Sequence, residues 1–260
     1  MHMSLMLGIV LILFFTSLTL MCLYRRKMNV RTWNAVFVAI DVVFFFLWNY
    51  ASYQKGWLDK RFMTLDNISP FTFTIIPLTY FMNKKTKEYA FSAISFLSVG
   101  MFVAMIFSPE HAYLFSYTAD ASFLYTTEAL CHLLCSLYGV YLVLTDQVQA
   151  NVPNLIKSVV FMYVVIFFGV FLNYVFHKDF FGMDPYGNYR IYMLQLFGSF
   201  GATFTAYLLG VFVVLVSGML GNGFLRSLMA EYERREDENA TLATALYEGN
   251  EQTDEETTNE

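Results

Sequence analysis

An all-α fold, specifically a polytopic transmembrane helical bundle of seven spans with the N-terminus outside and the C-terminus cytoplasmic, is predicted by three observations on this chain of 260 residues. The first is composition: 57% of the residues are hydrophobic, 19% aromatic and only 14% charged, an apolar excess that one soluble core cannot bury. The second is length. Apolar runs cover approximately 3–23, 32–52, 66–83, 88–108, 121–144, 155–176 and 200–220, each with roughly the 17 to 25 residues that cross a ~30 Å hydrocarbon layer as a helix. The third is charge. Arg25, Arg26, Lys27, Arg31, Lys84, Lys85, Lys87, Lys157, Arg226, Arg234 and Arg235 fall on alternate connections and account for most of the 16 basic residues. The opposite connections hold Lys55, Lys60, Arg61, Lys178 and Arg190. Basic residues collect in short cytoplasmic loops, which sets the orientation.

Taken in order, the first run is read as a retained span. No basic residue precedes it, it is too long for a signal-peptide core, and no small-residue cleavage site follows before Arg25. The second carries Asp41 and Asn49. The third begins with Asp66, Asn67 and Ser69 and contains Pro70, which suits a first helical turn, and Pro77, which predicts a kink. Its alternative is a re-entrant or soluble segment, leaving six spans with both termini on one side. The Asn67-Ile68-Ser69 glycosylation pattern abuts the membrane and precedes Pro, so it is discounted. The fifth run holds Glu128, Cys131, His132 and Cys135, the sixth ends near Asn173, and the seventh has no lysine for a retinal Schiff base.

Residues 1–222 therefore form the seven-helix transmembrane domain and 223–260 an acidic, mostly disordered cytoplasmic tail. From Glu231 onward the tail holds eleven of the 21 carboxylates and, as cations, only Arg234 and Arg235. Phe224, Leu225, Leu228 and Met229 can form a short amphipathic helix ahead of it. The acidic balance belongs to this tail. Basic patches for nucleic acid are absent, as is a phosphate-binding glycine loop, and no cofactor is expected. Cys131 and Cys135 lie four apart on one helix face, where buried free Cys usually serves as small apolar filler. A metal pair with His132 has no second ligand cluster to close it, so no metal is assigned.

Ionisable groups at mid-bilayer cost about 2.5 to 3.5 kcal/mol each on insertion scales, so each needs a partner or a cavity. Asp41, Glu128 and His132 qualify as deep. Glu128 and His132 are one turn apart on one face, which allows the carboxylate to orient the ring and raise its basicity. The plain alternative is a structural pair that locks the fifth span to a neighbour. Asp41 is either a hydrogen-bonding anchor or part of the same cavity. At ~1.5 Å of rise per residue, Thr74 lies ~12 Å, Glu128 ~10 Å and His132 ~16 Å below the outer surface. With Asn49 and Asn173 also in the outer half, a shared polar pocket is expected there. Isolated threonines are mostly interhelical hydrogen-bonders.

Spans three to six resemble the YwaF-like bacterial integral membrane family. The pieces that carry the resemblance are Ser69-Pro70-Phe71-Thr72-Phe73-Thr74, Gly100, Ser108-Pro109, His132 and Asn173-Tyr174, within roughly residues 30–215. That family has eukaryotic relatives implicated in lipid acyl transfer and distant six-helix relatives that hydrolyse lipid esters with a threonine and a histidine. This chain has Thr74 where the family usually shows cysteine, and Thr72 where histidine is common. The resemblance implies an intramembrane lipid acyltransferase or hydrolase in which Thr74 is the nucleophile, His132 the general base and Glu128 its orienter. Thr72, Asp41, Asn49 and Asn173 would line the substrate site, membrane lipids would be the partners, and the cell membrane (the plasma membrane of a bacterium) the location. The rival is a non-catalytic transport or small-molecule-binding membrane protein, with Asp41, Glu128 and His132 lining the path.

Overall fold

The computed structural model describes residues 3–54, 68–107, 122–176 and 199–257. Lys55, Lys60, Arg61, Asp66, Asn67, Ser108, Pro109, Lys178 and Arg190, on which parts of the charge and motif reading rest, lie outside the described residues. The described chain is all-helical: α1 (Met3–Tyr24), α2 (Val30–Gln54), α3 (Ile68–Leu78), α4 (Lys84–Phe107), α5 (Ser122–Leu144), α6 (Val152–Phe176) and α7 (Phe200–Thr257). Five segments among the described residues are long and apolar enough to cross a membrane: Gly8–Lys27, Val30–Gln54, Thr126–Leu144, Val152–Phe176 and Phe200–Leu242. α4 follows the fourth expected run with 24 residues. α3 has 11 residues, a rise of ~16 Å, about half a hydrocarbon layer. Pro77 does not kink this helix but sits at its last turn, since α3 stops at the next residue.

Local sequence starts the helices cleanly. Asn29, Asn83, Asn151 and Ser199 each accept, through the side-chain oxygen, the backbone N–H three residues on, at 3.1, 2.9, 3.1 and 3.3 Å. These N-caps open α2, α4, α6 and α7, and each contributes about 1 kcal/mol. α5 ends in a Schellman turn: Gln147 N–H bonds to Leu142 O and Asp146 N–H to Val143 O, with Asp146 left-handed at φ 59. An Asp tolerates that conformation better than most side chains.

Contacts divide the chain into units over 1–222 and 223–260. In the first, α5 is central: its Thr126–Leu144 segment is 94% buried, against 17% to 33% for the other four candidate spans, whose outward faces carry Ile12, Phe46, Val164, Phe171 and Val213. α5 packs on α1, α2, α3 and α4, and α4 also packs on α6. Small residues let α4 approach its neighbours closely. A Cβ on Gly139 of α5 would lie 2.9 Å from Ser98 Cβ, and one on Gly218 of α7 would run into the Phe96 carbonyl. Asn222 Nδ2 donates to Ser95 O at 3.1 Å and Ser136 Oγ to Ser98 O at 3.2 Å. Such small-residue interfaces suit helices that cannot rely on water for association.

Several contacts gather one end of this unit. Arg25, just past α1, pairs with Asp146 beyond α5 at 3.1 Å. Tyr141 Oη donates to Val30 O at the start of α2, and Lys157 in α6 pairs with Glu88 in α4 at 3.1 Å. Lys87 lies 5.1 Å from the Phe91 ring centroid, and that ring in turn meets Tyr138. The end of α1, the starts of α2, α4 and α6 and the end of α5 therefore share one end, and with them Arg25, Arg26, Lys27, Arg31, Lys84, Lys85, Lys87 and Lys157. α7 runs toward it: Phe204 meets Phe167 and Leu208 O accepts from Tyr163, while Asn222 reaches Ser95.

In the second unit the chain is helical as far as Thr257. Ion pairs at helical spacing line its first turns: Arg234 with Glu231 and Glu238, and Arg235 with Glu231. Exposed pairs of this kind are screened by water and contribute little each.

Candidate functional site

The site grows out of the α2–α5 contact. Tyr138 Oη donates to Asn34 Oδ1 at 3.2 Å and Tyr141 Oη to Val30 O at 3.1 Å. Phe37 packs its ring 5.2 and 5.0 Å from those of Tyr138 and Tyr141. As α2 advances, its partners step back along α5, so the pair is antiparallel. Seven residues beyond Asn34 stands Asp41, and seven before Tyr138 stands Cys131. Asp41 accordingly sits within electrostatic reach of Cys131 and Cys135, and Cys131 also within reach of Glu128. Both cysteines are buried free thiols.

Asp41 is 1% exposed, and neither carboxyl oxygen has a hydrogen-bond partner among the described residues. Further along the same helix Trp48 Nε1, Asn49 Oδ1 and Ser52 Oγ are also buried without a partner, while Asn49 Nδ2 donates to Phe45 O at 2.8 Å. At 100° per residue Asp41, Trp48 and Ser52 fall within about 40° of one another on the helix surface, so they form one stripe with Asn49 beside it. Buried polar atoms are nearly always satisfied in folded proteins, and leaving one bare costs about 1 to 3 kcal/mol, more for a charge.

α3 closes the site from the side. The Phe73 ring lies edge-on to His132 at 5.3 Å and edge-on to Trp48 at 6.3 Å, joining α2, α3 and α5. Thr72 is buried and Thr74 half-buried; they flank Phe73 on either side of the helix. Phe73, which the sequence did not mark as a site residue, thus meets the histidine ring from α3. Glu128 is buried, and its backbone carbonyl, rather than a carboxylate alone, anchors the imidazole: His132 Nδ1 stands 2.7 Å from Glu128 O. A carbonyl only accepts, so Nδ1 carries the hydrogen and Nε2 of the neutral ring keeps its lone pair.

The expected pocket residues fall on four helices. Asp41, Asn49, Thr72, Thr74, Glu128 and His132 belong to α2, α3 and α5, whereas Asn173 is buried on α6, whose main neighbour is α4. Among the described residues no three His, Cys, Asp or Glu side chains form a metal-binding group. Trp48, Ser52 and Phe73 went unread because an indole, a hydroxyl or a ring in an apolar run carries no warning of its own. The seven-residue spacing of Asn34, Asp41 and Trp48 would have found the stripe. Comparison with protein-family models, curated proteins and solved structures finds no match to this chain.

Proposed function

We propose that this chain is a seven-span integral membrane protein, N-terminus outside and C-terminus inside, that binds a small molecule within the bilayer between α2, α3 and α5, as a non-catalytic binding or transport protein. The observation that carries the reading is the stripe of buried polar atoms on α2 without partners among the described residues: Asp41, Trp48 and Ser52, with Asn49 beside them. In hydrocarbon such groups have no water to fall back on, so a ligand that satisfies them recovers free energy that the bundle alone forgoes. The seven-span count is supported by the shared basic end. α2 leaves that end over 25 residues and α4 begins there, so the connection containing α3 has to return across the layer. Basic residues at one end favour placing that end in the cytoplasm.

Native mass spectrometry of the purified chain tests the ligand. We expect a non-covalent small-molecule adduct that Asp41→Asn loses while remaining folded; an adduct retained by the variant argues against this site. A second reading, lipid acyl transfer or hydrolysis as in the YwaF-like resemblance, is favoured by one observation. The His132 tautomer fixed by Glu128 O leaves Nε2 able to take a proton, with Thr74 on the adjacent helix as the hydroxyl nucleophile. Lipid profiles of cells overexpressing the wild type and His132→Ala separate the two. A change in one acyl-lipid class that the variant abolishes supports catalysis, and identical profiles leave binding or transport.

A further inference from the structure

We infer that the α2 stripe recognises an organic ammonium compound: a positively charged nitrogen held by Asp41 and, about two to three helical turns away, a hydrogen-bonding group held by Trp48 and Ser52. The inference rests on the binding reading above and names its ligand class. A carboxyl in a low-dielectric interior keeps its proton unless a positive charge comes close, so a cationic ligand is what would bring Asp41 to its charged, strongly binding form. The helices packed against α2, namely α3 and α5, carry no lysine or arginine. α3 has no titratable residue, and α5 turns toward Asp41 the thiols of Cys131 and Cys135 and the phenol of Tyr138, with Glu128 and His132 beside them. On α2 itself the one cation is Arg31, ten residues and ~15 Å away along the axis.

The surroundings suit an organic cation better than a bare metal ion. Asp41 is the only carboxylate on α2, the neighbouring sulfurs are poor ligands for alkali metals, and no three-residue metal group forms among the described residues. Aromatic rings stand around the stripe instead: Phe37 one turn before Asp41, Tyr138 opposite, then Trp48 and Phe73 in edge contact. Rings of this kind favour an ammonium group. The remaining bare atoms fix the far end. Trp48 Nε1 is a donor and Ser52 Oγ can donate or accept, seven and eleven residues beyond Asp41, or ~10 and ~16 Å. The ligand therefore carries an acceptor such as a hydroxyl, ether or ester oxygen at that distance from its charge.

Thermal unfolding of the purified full chain in detergent tests this with three probes. In 8-amino-1-octanol the ammonium and hydroxyl stand about two helical turns, ~11 Å, apart; n-octylamine lacks the hydroxyl and 1-octanol lacks the charge. We expect stabilisation to fall in that order, with a rise of about 2 to 4 °C for the first probe and none for 1-octanol. Asp41→Asn should remove the increment due to charge, and Trp48→Phe should reduce the first probe to the level of the second. If Asp41→Asn does not fold, the ranking in wild type and Trp48→Phe still decides. Equal shifts for all three probes, no shift for any, or a response to sodium or potassium chloride alone overturns the ammonium assignment. A native adduct lost from Asp41→Asn but lacking a basic nitrogen overturns it while leaving the binding reading intact.

Discussion

At the scale of single residues, the ionisable groups were legible and their partners were not. Asp41, Glu128 and His132 stand out because each interrupts an apolar run, where charge is expensive. The contact at His132 Nδ1 comes from a main-chain carbonyl, and a backbone atom one turn away has no sequence signature. Tyr138 illustrates the same limit: in the sequence it is one of 18 tyrosines, yet its hydroxyl ties α5 to Asn34 while its ring packs on Phe37. Tyr138→Phe keeps the ring and deletes the hydrogen bond. We expect a loss of about 1 kcal/mol, read as a lower unfolding temperature with an unchanged helical circular-dichroism spectrum. Tyr53→Phe, at an exposed position on α2, should leave stability unchanged.

At the scale of elements, hydrophobic run length located the helices and local polar chemistry set their ends. The expected runs 121–144 and 155–176 correspond to α5 and α6 within a few residues, while N-caps Asn83 and Asn151 moved two starts earlier. What run length cannot report is how closely two helices approach. Gly218 and Gly210 are both mid-helix glycines of α7, yet a Cβ at Gly218 collides with the Phe96 carbonyl and one at Gly210 meets nothing within 4 Å. Gly218→Ala should therefore destabilise by about 1 to 3 kcal/mol through overpacking, whereas Gly210→Ala should stabilise by about 0.5 to 1 kcal/mol through helix propensity; paired thermal melts check both. Beyond residue 222 a pH effect follows from Glu231, whose carboxyl is held below the ordinary range by hydrogen bonds from Arg234 and Arg235. For an acid with a depressed folded-state pKa, the stabilisation is present above the unfolded value and lost as pH falls through the folded one. Hydrogen-exchange protection around residues 231–238 should accordingly drop on acidification in the wild type, and Glu231→Gln should show the lower protection already at neutral pH.

At the scale of the whole molecule, the sequence argued from charge in one dimension and the structure places the same charges in three. Arg25 and Lys157 reach Asp146 and Glu88 across the bundle, so residues scattered over more than 130 positions share one end. The expectation that this end is cytoplasmic then depends on the third run alone, because a segment that failed to cross would put Lys84 to Lys87 opposite Arg25 to Arg31. α3 by itself rises about half a hydrocarbon layer, so a crossing draws on chain beyond it. The common end does bear on it. Glu88 cannot pair with Lys157 while Val30 receives Tyr141 unless the chain has come back between α2 and α4. Single-cysteine labelling in a background lacking Cys22, Cys131 and Cys135 puts this to the test. With a membrane-impermeant maleimide on intact cells, Lys60→Cys and Lys178→Cys should react, and Lys85→Cys should react only after permeabilisation. Reaction of Lys60→Cys and Lys85→Cys from the same side would mean that the third segment does not cross. Reaction of Lys85→Cys alone from outside would invert the protein, place the basic end outside, and move the Asp41 stripe toward the cytoplasmic leaflet as the route by which its ligand enters.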